Sequence, residues 1–187
     1  MSATLTMIVG GVGMFHYSKL QYLFEFLYLK NYGERYTGER FVKYELGPVI
    51  NEYKVQLLKL DELGILSVDR DALYRNAGVN KGSYITKRIE VGSRAQEFAL
   101  TDERELKLLN GVIERFGNLS TDALKKVVYS TLPLKLNPKH NHEVLTDEVV
   151  EMIVDNPIVQ GKQMAEEHLK KYPTINQEKR AEFIHEL

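Results

Sequence analysis

The segment Tyr17–Tyr32 constrains the fold more than any other part of the sequence, because it carries two apolar stripes at helical spacing. The first stripe repeats at i, i+3, i+4 and i+7 and consists of Leu20, Leu23, Phe24 and Leu27. The second repeats at i, i+4 and i+7 and consists of Tyr22, Phe26 and Leu29. A helix with two apolar faces is covered on more than one side, so the pattern predicts a central helix that ends at Gly33. Its predicted polar face is narrow and consists of Lys19, Gln21, Glu25 and Lys30.

Turn and capping residues divide the rest of the chain into shorter elements. Gly47-Pro48 predicts the start of a second helix, with Pro48 at the first helical position, where a missing N–H costs nothing. Gly64 is expected to end this helix, whose predicted buried face consists of Val49, Tyr53, Leu57 and Leu60. Apolar residues predict strands at 65–68 and 84–91, which form an antiparallel hairpin. Three later helices are each preceded by a residue that often caps helices: Thr101, Ser120 and Thr146.

These elements predict a mainly α (α+β) fold class, with a compact helical domain and a small antiparallel β-hairpin. The domain is expected to span residues 1–156. From Pro157 onward Gln, Lys and Glu dominate, so residues 157–187 are predicted to form a helical C-terminal extension. The apolar segment Thr4–Val9 is too short for its periodicity to distinguish a strand from a helical turn.

Composition excludes several kinds of site. The 187 residues include no cysteine, which excludes disulfides, thiolate zinc sites and cysteine nucleophiles. A formal net charge of −1 argues against a broad basic surface for nucleic acid. The first apolar run is not preceded by Lys or Arg, as a secretory signal would be, and no window approaches the roughly 18 apolar residues of a membrane span. We therefore expect a cytoplasmic protein without a membrane segment.

Motifs for catalysis, cofactors and metals are incomplete. Gly11-Val12-Gly13 resembles the start of a dinucleotide fingerprint, but His16 stands where a third small residue is needed. His140 and His142 could face one metal ion, yet zinc normally takes three or four protein ligands, so a polar loop is favoured. No serine lies in a Gly-x-Ser-x-Gly turn. We therefore predict no enzyme activity, no catalytic residue, no cofactor and no metal site.

Binding to DNA is an alternative that the residues leave open. Helices followed by a small hairpin are typical of a winged helix. Basic residues lie in or near this hairpin and on a later helix: Lys81, Lys87, Arg88, Arg94, Lys125 and Lys126. Acidic residues balance them, and the predicted second helix exposes a mixture of acidic, basic and amide side chains. A DNA-binding transcriptional regulator is therefore the second hypothesis.

Two stretches of the sequence together carry a resemblance to a known family. The first comprises residues 19–33, the turn Tyr36-Thr37-Gly38, and residues 41–49 with Gly47-Pro48-Val49. The second runs from Leu100-Thr101-Asp102-Glu103 through residues 115–120 to Leu124. In this order they resemble the Panacea domain of the SocA-type antitoxin family over about residues 4–135.

The resemblance implies a binding domain that neutralises a cognate protein toxin, and it favours a helical turn for Thr4–Val9. Members of this family also occur as phage-associated proteins without an assigned partner. They often carry a His at the position of Tyr129 and a Trp close to that of Pro133, and this chain has neither. The sequence leaves a homo-oligomer open.

Candidate partner-binding residues come from the matched stretches. They are Lys19, Tyr28, Tyr36, Tyr44, Gly47, Pro48 and Tyr53. Tyrosine suits interfaces because its ring is apolar and its tip is polar, but it fits a core equally well when its hydroxyl is satisfied. The lysine could pair with a buried acid or extend its stem to solvent. The Gly-Pro pair could serve only to start a helix.

Overall fold

A computed structural model of the chain describes residues 1–70, 73, 88–157, 160, 161, 164 and 167. These residues fall into two units, the first made of Met1–Phe24 and Glu39–Val144, the second of Glu25–Gly38 and Leu145–Leu187. Their regular structure is mostly helical with small antiparallel sheets, which confirms the predicted fold class.

The described helices and strands follow one another in chain order. The helices are α1 (Ser2–Val9), α2 (Met14–Tyr32), α3 (Tyr53–Glu62), α4 (Glu103–Phe116), α5 (Thr121–Ser130), α6 (Leu132–Leu136) and α7 (Asp147–Val154), and a 3-10 helix spans Ala95–Phe98. The strands are β1 (Val12–Gly13), β2 (Phe41–Tyr44), β3 (Gly47–Ile50), β4 (Leu66–Val68) and β5 (Arg88–Val91). Within the described part of the chain, no helix is both long and apolar enough to cross a membrane.

Helix α2 confirms the strongest sequence pattern. It begins three residues before the predicted Tyr17 and ends at the predicted C-cap, where the Gly33 N–H donates to Leu29 O at 2.8 Å. Both apolar stripes contribute fully buried side chains, including Leu20 and Tyr22. The ambiguous segment before it is helical as well, as the family resemblance indicates, and forms α1.

The predicted polar face of α2 is wrong for three of its four residues. Lys19 and Glu25 are each 1% exposed and Gln21 is 8% exposed, whereas Lys30 is exposed. Each of the three buried heads has hydrogen-bond partners, and for Gln21 these include the Tyr17 hydroxyl at 3.1 Å. Internal partners allow a polar group to be buried, so α2 has buried polar positions where the sequence pattern predicts a solvated face.

Gly47-Pro48 forms a strand and not the start of a helix, so this prediction is also wrong. Strands β2 and β3 pair antiparallel, with Lys43 opposite Pro48, and α3 begins only at Tyr53. The Lys43 carbonyl accepts from the Asn141 N–H at 2.8 Å, so it needs no N–H from the opposite residue, and the Lys43 N–H donates to His142 O at 3.0 Å. Proline therefore fits β3 without breaking the ladder, and its carbonyl remains available to another donor.

The predicted hairpin at 65–68 and 84–91 is confirmed for its described residues. Strand β4 pairs antiparallel with β5, with Leu66 opposite Val91, while 84–87 lies outside the described residues. Strand β1 adds a third strand, antiparallel to β5. Gly11 and Gly13 therefore lie at an antiparallel strand, whereas a dinucleotide-binding unit has its glycines after a parallel strand.

The later helices carry side-chain caps close to the predicted positions. Ser120 and Thr146 accept hydrogen bonds at the starts of α5 and α7, as predicted, whereas Asp102 caps α4 in place of Thr101. Pro133 lies in the first turn of α6, where a missing N–H costs nothing. The domain boundary at 156 and the helical extension stay predictions, since most of 157–187 lies outside the described residues.

The close approach of two backbones at Gly92 provides a test of the fold. A Cβ atom at Gly92 would lie 2.2 Å from Gly64 O and 2.5 Å from the carbonyl carbon of Ile65. Because backbone cannot move aside as a flexible side chain can, Gly92→Ala should lower the free energy of unfolding by roughly 1–3 kcal/mol. Urea denaturation followed by circular dichroism measures this change.

Gly111 on α4 provides the matched control. A Cβ there meets nothing within 4 Å, and the residue is exposed in a helix. Gly111→Ala should therefore raise the free energy of unfolding by about 0.5–1 kcal/mol. Two variants of equal stability would contradict the close backbone contact at Gly92.

Candidate functional site

Lys19 is a buried ammonium group in the first unit. Its Nζ donates to Pro48 O at 2.8 Å and lies 5.2 Å from the centroid of the Phe15 ring. Among the described residues, no carboxylate forms an ion pair with it. Burial, and secondarily the charge of Lys125, lowers the pKa of Lys19 to about 7. The site thus begins with a cation whose protein partners are a carbonyl dipole and an aromatic face.

Gly47 is required beside this ammonium by both conformation and space. Its φ of +100° is one that L side chains rarely adopt. A Cβ atom there would lie 3.2 Å from Tyr129 Cε2 and 3.3 Å from Lys19 Cε. The β2–β3 turn, α2 and α5 therefore meet at Gly47, where a Cβ atom would require both neighbouring side chains to shift slightly.

Tyr129 is the aromatic centre of the site. Its hydroxyl donates to Glu45 O at 3.4 Å, at the turn between β2 and β3. Lys43 Nζ lies 5.7 Å from the centroid of its ring and Lys125 Nζ lies 5.8 Å from it, both within cation–π range. We call Lys19, Lys43 and Lys125 the lysine cluster.

No carboxylate among the described residues pairs with any member of the lysine cluster. Glu45 is adjacent, but what it contributes is its backbone carbonyl, not its side chain. Lys43 and Lys125 are half-buried, so their charges are only partly screened by water. The cluster is therefore a local concentration of positive charge in a chain whose net charge is −1.

The second unit holds a separate group of tyrosines. The Tyr28 ring lies 4.7 Å from the Tyr32 ring and 5.0 Å from the Tyr36 ring, centroid to centroid. The Tyr28 hydroxyl points to Glu34 Oε1 at 3.5 Å. Tyr28 is buried, while Tyr32 and Tyr36 are half-buried. The three rings therefore pack together as a small aromatic cluster, in which Tyr32 and Tyr36 keep part of their surface accessible.

A buried carboxylate fixes the loop that carries Tyr36. Glu25 accepts from the Tyr36 N–H at 2.9 Å, and from the Thr37 N–H at 3.1 Å and hydroxyl at 2.8 Å. Burial raises the pKa of Glu25, while these hydrogen bonds and the charge of Arg35 oppose the rise. The same Arg35 donates to Leu145 O at 2.7 Å and pairs with Asp147.

The structure brings some of the candidate residues together and separates others. Lys19, Gly47 and Pro48 meet in the first unit, and Tyr28 and Tyr36 stack in the second. Tyr44 ends β2 with its ring 5.9 Å from His140, and Tyr53 begins α3, where burial and then Tyr44 raise its pKa. Whether any of these residues binds a partner stays a prediction.

Sequence reasoning missed Phe15, Lys43 and Tyr129 and considered Lys125 only for DNA. Lys125 and Tyr129 are four residues apart on a predicted helix, a spacing that places both on one face. A lysine inside a helix with two apolar faces is itself a signal, because a buried ammonium needs an acceptor. Their meeting in space depends on the β2–β3 turn, which the sequence pattern did not predict.

The basic residues considered for DNA give a mixed result. Lys81 and Lys87 lie outside the described residues, and the Arg94 guanidinium pairs with Glu97 at 2.7 Å. DNA binding therefore stays a prediction. His140 and His142 lie in the loop before α7, and the described residues contain no group of three or more His, Asp and Glu placed to hold a metal ion.

The unpaired burial of Lys19 predicts a dependence of stability on pH. Because its pKa falls from 10.5 to about 7 on folding, the unfolded chain binds a proton in this window that the folded chain does not. The free energy of unfolding attributable to Lys19 therefore rises with pH from about 7 to about 10, by up to about 1.4 kcal/mol per unit. Lys19→Met should remove that rise, as measured by urea denaturation at several pH values.

Lys30→Met is the matched control, because it removes an exposed ammonium from the same helix. Because Lys19 is unchanged in this variant, Lys30→Met should keep the rise of stability with pH that the wild type shows. The Pro48 carbonyl loses a donor in Lys19→Met, which shifts the curve at every pH and not its slope. Parallel curves for wild type and Lys19→Met would contradict a buried, unpaired ammonium.

Comparison with known proteins gives a family match. Residues 18–133 match the family model described as antitoxin SocA-like, Panacea domain, and this segment is more than half of the chain. It contains the whole lysine cluster, Tyr129 and every candidate partner-binding residue. The match confirms the resemblance read from the sequence. Comparisons with curated proteins and with solved structures return no match.

Proposed function

This chain belongs to the Panacea-domain family of SocA-like antitoxins, and we propose that it neutralises a cognate protein toxin by binding it directly. The match over residues 18–133 is the observation that carries the proposal, and it supports an antitoxin role. Neutralisation in this proposal is stoichiometric, without turnover or a cofactor, and takes place in the cytoplasm. The toxin is inactive while the complex lasts.

The side chains around the β2–β3 turn support direct binding through the first unit. Leu46 stands at the tip of this turn and is 57% exposed. Tyr44, Tyr53 and Tyr129 are half-buried nearby in sequence or contact, so each offers part of an aromatic ring. Exposed apolar and aromatic side chains beside buried anchoring groups are typical of interface centres.

Co-expression tests the proposal. The reading frame adjacent to this gene is induced alone and together with this chain, and growth and co-purification are scored. We expect growth arrest with the neighbour alone, restored growth with both, and a complex that survives size-exclusion chromatography. A harmless neighbour, or restored growth without a complex, would contradict neutralisation by direct binding.

A matched pair of variants locates the surface. Leu46→Ser removes an apolar side chain from the β2–β3 turn, and Met152→Ser removes one of similar exposure, 55% against 57%, from α7. Residue 152 lies outside the matched segment. Leu46→Ser should weaken the complex about tenfold, by calorimetric titration, and Met152→Ser by less than about threefold. Equal losses would place the interface elsewhere.

A further inference from the structure

We propose that the lysine cluster is the binding site for one carboxylate on the toxin, an Asp or Glu side chain whose oxygens pair with the Lys43 and Lys125 ammonium groups beside the Tyr129 ring. The proposal rests on the proposed function, since it names the chemistry of the partner at that surface. The lysine cluster thereby becomes a specificity element of the interface and not only a feature of the fold.

Lys19 is buried, and no carboxylate in the described part of the chain pairs with it. Removing an ammonium from water is costly unless a counter-charge and hydrogen bonds replace its hydration. Lys19 has the Pro48 carbonyl and the Phe15 ring, and the described residues give it no carboxylate. The described contacts therefore compensate the charge of Lys19 only in part, and an anion brought near it would complete the compensation.

Lys43 and Lys125 add to the positive charge at Lys19 instead of cancelling it. Both ammonium groups lie within 6 Å of the centroid of one ring, at 5.7 and 5.8 Å, and Lys125 acts on Lys19 as a like charge. Like charges gathered in this way destabilise the free protein, and a bound anion relieves the repulsion. Because Lys43 and Lys125 are half-buried, an incoming group can reach their ammonium groups. Lys19 is buried, so it acts on that group only through its electrostatic field.

The size of the site indicates what kind of anion it binds. A single ring flanked by two reachable ammonium groups fits one small anion, whereas nucleic acid binding commonly engages about 6–10 phosphates. The net charge of −1 also gives no broad attraction for a nucleic acid backbone. A carboxylate on a protein surface matches both the size of the site and the family's partner class.

Acetate tests the site without the toxin. The chain is titrated with sodium acetate against sodium chloride at equal ionic strength, and the Lys side chains and the Tyr129 ring are followed by NMR. We expect saturable shifts at Tyr129 and Lys125 that acetate produces and chloride does not, and that Lys43→Met abolishes. The absence of saturable shifts, or much stronger shifts with inorganic phosphate than with acetate, would overturn the carboxylate assignment.

Charge reversal tests the site in the complex. Lys125→Glu and Lys126→Glu make the same charge change at neighbouring positions of α5, but only Lys125 contacts the Tyr129 ring. Lys125→Glu should weaken toxin binding roughly 10- to 100-fold, and Lys126→Glu less than about threefold. Urea denaturation confirms that both variants fold. A Glu→Lys or Asp→Lys change on the toxin that restores binding to Lys125→Glu identifies the carboxylate.

The outcomes separate the two proposals. A tight complex that both variants form equally well would overturn the carboxylate site and leave toxin neutralisation standing. No growth rescue and no complex would remove toxin neutralisation, and the acetate titration then decides the site alone. Binding of DNA by the wild type that is lost in Lys125→Glu would assign the cluster to nucleic acid, against this proposal.

Discussion

The hydrogen bond from Lys19 to the Pro48 carbonyl is the interaction on which the site depends. It joins α2 to β3 in the first unit, and it requires a residue at position 48 whose carbonyl is not used by the strand pairing. It also favours glycine at position 47, where φ is +100° and a Cβ atom would lie 3.2 Å from Tyr129 and 3.3 Å from Lys19. The Gly-Pro pair, the buried lysine and the tyrosine of α5 are thus parts of one arrangement, although they are far apart in the chain.

The second unit also contains a buried charged side chain, which is a carboxylate. Glu25 is as buried as Lys19 and holds the Tyr36–Thr37 loop through backbone and hydroxyl donors. The two groups differ in their hydrogen bonds. Both carboxylate oxygens of Glu25 accept hydrogen bonds, whereas the described contacts of Lys19 include one hydrogen-bond acceptor. A satisfied buried charge specifies a loop conformation, and an incompletely satisfied one is what a binding site requires.

The sequence predicted those features that local patterns determine. The α2 helix follows from its apolar period, the caps Ser120 and Thr146 from their side chains, and the β4–β5 pairing from alternation and turn residues. Gly47-Pro48 was assigned to a helix because local preference cannot distinguish a helix start from a strand that needs no N–H at that position. The helical period places Lys19 and Glu25 on a solvated face, because the residues that satisfy them lie outside α2 and do not enter the pattern. Three of the candidate residues, Lys19, Gly47 and Pro48, lie together in the structure, and their role in binding stays a prediction. The contacts of Tyr129 and Lys43 with this group required the tertiary structure.

Lys19 is a buried amine that no carboxylate of the described residues pairs with, and a toxin carboxylate bound at the lysine cluster would favour its charged form. The most direct measurement is the pKa of Lys19, obtained by NMR of the labelled lysine side chain in the free protein and in the complex. We expect a pKa near 7 in the free protein and a clear rise in the complex, because a nearby carboxylate favours the charged form. An ordinary lysine pKa in the free protein, or one that the toxin leaves unchanged, would contradict this expectation.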